Sequence, residues 1–84
     1  MNEKTIRALV EAGAIKRSRI IAQGSRFHIE FDTPTTTVTA LTHRATIKQW
    51  VTLDAAARWL RGLGLGGTQL ELAKWTPEQK GLSI

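Results

Sequence analysis

Phe27, Ile29 and Phe31 alternate with Arg26, His28 and Glu30. This period of two narrows the fold more than any other feature of the chain, because it is the repeat of a strand with one buried face. Gly24-Ser25 precedes the run and is a two-residue hairpin turn of the type with glycine first, where a positive φ is required. A turn at that point sets Ser18 to Gln23 antiparallel to the alternating run, in a register where paired residue numbers sum to 49. Ala22 then meets Phe27 and Ile20 meets Ile29 on the inner face. On the outer face Arg19 meets Glu30 and Arg17 meets Asp32, each an opposite-charge pair. A slip of one residue would set apolar side chains against charged ones.

Helical spacing flanks this hairpin. Ile6, Leu9 and Val10 share one face and Gly13 closes it, which predicts a helix over about residues 3–12. After Thr33-Pro34-Thr35 breaks the chain, the β-branched stretch from Thr36 to Leu41 predicts a third strand. His43-Arg44-Ala45 would turn it into a fourth, over about 46–51, in which Ile47 and Val51 point one way and Trp50 the other. Thr52 offers an N-cap hydroxyl, Asp54 puts a negative charge in the first turn, and Leu53, Ala56, Ala57, Leu60 and Leu63 form one apolar stripe. That second helix ends in the glycines from Gly62 to Gly67, after which Leu70 and Leu72 alternate with Gln69 and Glu71 in a last strand.

The expected class is therefore α+β, ordered helix, three to four antiparallel strands, helix, strand, with both helices on one face of the sheet. A single domain over 1–76 is expected. The helix-start signal Thr76-Pro77-Glu78-Gln79 is cut short by Gly81, so 77–84 reads as a loose tail.

At 84 residues the chain lies near the lower size at which a core alone sustains a fold, so self-association as a homodimer would bury apolar surface the monomer leaves open. The absence of cysteine excludes a disulfide framework and thiolate zinc sites and fits a reducing compartment. With no apolar run near the ~18 residues of a membrane span and no signal-peptide pattern at Met1-Asn2-Glu3-Lys4, the expected location is the cytoplasm.

Charge points toward an anionic partner. Lys4, Arg7, Lys16, Arg17, Arg19 and Arg26 face only Glu3 and Glu11 within residues 1–26, and Lys or Arg on phosphates supplies affinity that does not depend on sequence. Including Glu30 and Asp32 halves that excess. Arg7, Lys16, Arg26 and Arg44 remain without local partners and are the candidate nucleic-acid contacts. No helix-turn-helix, ribbon-helix-helix or RNA-recognition motif accompanies them.

Other constellations are weaker. His28, Glu30 and Asp32 on one strand face could ligate a metal if His43 approached, but the same spacing occurs on any solvated strand face, and no metal is expected. Phosphate-cradling glycine loops lie between a strand and the following helix, whereas this glycine run follows a helix. No nucleophile and base are paired by any motif, so neither an enzyme nor a cofactor is expected. Of Trp50, Trp59 and Trp75, Trp59 flanks the helical stripe beside Arg58 and Arg61, and these three residues are the candidate partner-binding surface.

The segment from Thr5 to Ile15, the basic strand with its glycine turn, Trp50-Val51-Thr52-Leu53-Asp54 and Trp59-Leu60-Arg61-Gly62-Leu63-Gly64-Leu65 together resemble the ParC-like plasmid partition-associated proteins, over most of residues 4–76. The threonine-rich stretch from Asp32 to Ala45 departs from the family pattern. The resemblance implies a non-enzymatic helper in plasmid or mobile-element maintenance, acting beside a partition ATPase and a centromere-binding protein, and brings no catalytic residues with it. Two expectations follow: an accessory protein that binds DNA or a DNA-bound partition complex through its basic residues, or a protein-interaction module, inhibitor or adaptor, that docks through the second helix or a sheet edge.

Overall fold

The fold is given by a computed structural model, which describes residues 1–76; the expected tail lies outside the described residues. The elements are α1 (Glu3–Glu11), β1 (Arg17–Gly24), β2 (Arg26–Asp32), β3 (Thr37–Thr39), α2 (Leu53–Gly62) and β4 (Gln69–Trp75). They form an α+β domain around one mixed sheet, with strand order β3-β2-β1-β4. Among the described residues no helix is long and apolar enough to cross a membrane.

The hairpin forms in the expected register, from Gln23 opposite Arg26 at the turn to Arg17 opposite Asp32 at the open end. Gly24 holds φ at +65°, a conformation that L side chains rarely adopt, and so lets the strands close through two residues. The inner side chains of this pair, Ile20, Ala22, Phe27, Ile29 and Phe31, are all buried. Ile6 of α1, Ala56 and Leu60 of α2, and Leu63 just beyond it, complete the same core, so both helices serve one face of the sheet.

Local signals set the helix ends. The Asn2 side chain accepts from the Thr5 N–H at 3.0 Å and Thr52 Oγ1 accepts from the Ala55 N–H at 3.2 Å, each satisfying a donor that the first helical turn leaves free. Gly13 past α1 and Gly64 past α2 take positive φ and turn the chain away.

One expectation changes. The fourth strand does not form. β3 keeps to the edge of β2 from Thr37 opposite Asp32 to Thr39 opposite Glu30, and Ala40 N–H still donates to Ile29 O. There Leu41 N–H turns to Met1 O, and the Met1 ammonium donates to Thr39 O at 2.9 Å. The chain leaves the edge and returns at Trp50, whose N–H and C=O both bond Phe27. In the β3 register Thr42 would have stood opposite Phe27; Trp50 stands there instead, and the intervening residues make a loop with Ala45 at φ +63°. Within that excursion Ile47 bridges Leu41 and Lys48 N–H donates to Ala40 O, so residues 46–51 pair only at isolated points and form no continuous strand. β4, whose direction the sequence left open, pairs parallel to β1.

Candidate docking site

The main uncovered apolar surface among the described residues begins with the geometry of β4, the edge strand beside β1. Gln69, Leu70 and Glu71 pair with Arg19, Ile20 and Ile21, but Lys74 pairs with Gln23, so Leu72 and Ala73 together stand opposite Ala22. A strand bulged by one residue changes which face its later side chains take. As a result Leu70, Leu72 and Trp75 all look to the helix side, while Glu71, Ala73 and Lys74 look to the other. An unbulged strand would have put Lys74 among the leucines and Trp75 on the far face.

Among the described residues, few cover β4 on the helix side. α2 packs over β2, and a groove of about 560 Å³ opens between β4, the hairpin turn and the entry to α2. Phe27 forms its floor, with Val51 and Leu53 on one wall and Leu70, Leu72 and Trp75 on the other. The Trp75 and Phe27 ring centroids are 6.4 Å apart. Among the described residues six large apolar ones are exposed, Ile47, Val51, Leu53, Leu70, Leu72 and Trp75, and all but Ile47 line this groove. Scattered exposed apolar residues are ordinary, whereas a contiguous patch of five marks a contact surface.

The opposite face of the sheet is polar and internally neutralised. Arg19 lies among Asp32 at 2.7 Å, Glu30 at 3.5 Å and Glu71 at 3.5 Å, and so ties β1 to β2 and β4. Burial works against the guanidinium charge, but the three carboxylates, Asp32 foremost, outweigh it and raise its pKa. Arg19 Nε is buried with no hydrogen-bond partner among the described residues. His28, also buried, lies 3.2 Å from Glu30. The expected Arg17–Asp32 pair is replaced, since Asp32 takes Arg19 and the Thr37 hydroxyl at 2.8 Å instead.

Asp32 therefore joins three strands, and its carboxyl is held below the ordinary range by the Thr37 hydroxyl first and the Arg19 guanidinium after it. A depressed carboxylate pKa adds stability that is complete above the unfolded value and is lost as pH falls through the folded one. Stability should accordingly decline below about pH 4. Asp32→Asn is expected to lower the urea midpoint at pH 7 and to flatten its decline between pH 5 and pH 3. An unchanged acid limb in this variant would refute the assignment.

The residues singled out from sequence are dispersed. Lys16 sits at the open end of the hairpin and Arg26 at its turn, roughly 20 Å apart along the strands at ~3.3 Å per residue. Arg7, on α1, is occupied by Glu3 at 3.1 Å and by Gly62 O at 3.3 Å. Arg44 projects from the loop before Trp50. Lys16 and Arg26 thus stand at opposite ends of the hairpin, and of the four Arg26 lines the groove, at its rim.

Arg58 pairs with Asp54 at 3.0 Å on the exposed side of α2, and Arg61 is exposed one turn on. Trp59 is half-buried and has structural work. Its ring lies 5.0 Å from Trp50 and 6.3 Å from Phe31, Lys48 sits over it, and its Nε1 donates to Glu3 at 2.9 Å. That bond, with Arg7 after it, holds the Glu3 carboxyl below its usual range. The buried face of α2 is thus rotated from the expected stripe toward Trp59, leaving Leu53 and Ala57 exposed. Among the described residues no three His, Cys, Asp or Glu side chains cluster to hold a metal ion.

Fold and surface together define a small α+β domain with an apolar groove beside an open sheet edge. No family model matches the chain, and no curated protein and no solved structure is significantly similar to it.

Proposed function

We propose that this chain is a non-enzymatic protein-interaction module whose contact surface is the β4 edge and the groove beside it. The observation that carries this reading is the clustering of Val51, Leu53, Leu70, Leu72 and Trp75 in one groove along a terminal strand. An edge strand offers backbone N–H and C=O groups to an added strand, and the groove offers sites for every second side chain of that strand. Net charge of +5 leaves the rest of the surface attractive to an anionic partner, such as the DNA-bound partition complex that the ParC-like resemblance implies.

The test is selection from a random peptide library against sparsely immobilised full-length chain. Peptides with alternating apolar residues should be enriched, and Leu72→Asp should weaken them at least ~100-fold by setting a charge in the groove. Because Leu72 is exposed, the variant should keep its fold by circular dichroism. Failure to enrich any peptide, or binding that Leu72→Asp leaves untouched, would overturn this reading.

A further inference from the structure

We infer that the occupant of the β4 edge is a second copy of this chain, paired antiparallel to the first about a two-fold axis. The inference rests on the docking reading above and names its partner. Its basis is self-complementarity on both faces of one short strand. Set β4 against itself so that Glu71 of each copy stands opposite Lys74 of the other, and the two opposite-charge pairs fall on the polar face of the sheet. The same register brings Leu70 of each copy opposite Trp75 of the other, and both residues line the groove face.

The bulge makes this agreement possible. An identical pair of unbulged strands meets residues of like parity only, whereas the extra residue between Glu71 and Lys74 lets positions three apart share a face. Leu72 and Ala73 of both copies then lie at the axis, where the two irregular steps coincide. A shift of one residue either way would set Trp75 against Glu71 or Leu70 against Lys74. The pairing also gives partners to the β4 edge and joins two apolar grooves into one continuous contact, a repeated patch of the kind closed two-fold dimers use.

Sedimentation velocity of the full chain over a wide concentration range tests this. Wild type should dimerise, and Glu71→Lys and Lys74→Glu should each weaken the dimer about tenfold or more, since both pairs become repulsive. An equimolar mixture of the two variants restores both opposite-charge pairs and should dimerise at least about tenfold better than either alone. If Glu71→Lys unfolds on losing Arg19, Lys74→Glu read against Lys74→Arg carries the test, the first weakening the dimer and the second retaining it. A wild-type monomer at millimolar concentration overturns the inference while leaving the docking reading intact if library peptides still depend on Leu72. A wild-type dimer indifferent to both charge reversals overturns it as well.

Discussion

Phe31→Ala is expected to remove about 3–5 kcal/mol of stability, a large share of what a domain of this size has at roughly 0.05–0.15 kcal/mol per residue. Phe31 is fully buried on the inner face of β2. The cavity would be slow to close, because the residue opposite it on β1 is Ser18, whose small side chain is already committed to Gly67 O at 3.1 Å. Its aromatic neighbour Trp59 is fixed in turn by Glu3 and Trp50. Urea unfolding followed by tryptophan fluorescence gives the measurement, with Phe31→Leu as the comparison at under about 1.5 kcal/mol. A loss below ~1 kcal/mol for the alanine variant would mean that the core is not the one described.

Trp59→Ala comes next, at about 2–3 kcal/mol, discounted from a fully buried tryptophan because the ring is half-exposed. Trp59→Phe separates its two roles: ring packing on Phe31 and Trp50 is kept, the hydrogen bond to Glu3 is lost, and the cost falls to about 1 kcal/mol. Equal costs for the two variants would assign the whole effect to the bond. For a residue that reads from sequence as a docking anchor, the consequence is practical. A binding defect in Trp59→Ala would report a loosened α1–α2 contact, whereas Leu72→Asp acts on the groove alone.

What could be read in advance followed from local chemistry. The hairpin is legible because alternation and a glycine turn each specify the same register, and the helices are legible because their caps and apolar spacing agree. The fate of 46–51 is not local. It depends on Met1 and Asn2 drawing Leu41 away from β2, a contact between the first residues and the middle of the chain. The groove was half visible. Leu70 and Leu72 announce an apolar face, but nothing in Gln69 to Trp75 says that the strand skips a step opposite Ala22, and that skip decides where Trp75 points. Arg19 shows the limit on charge: cross-strand pairing names Glu30, while Asp32 reaches it diagonally and Glu71 from a strand far along the chain.

The parallel union of β1 with β4 also bears on how the chain is made. β1 can close on β2 within microseconds, through a turn of two residues, but its other edge waits for a strand that comes after α2. During synthesis the edge from Arg17 to Gly24 is bare until Trp75 has left the ribosome. Arg17 and Arg19 at one end of β1, with Gln23 and Gly24 at the other, are residue types that discourage pairing along a bare strand edge.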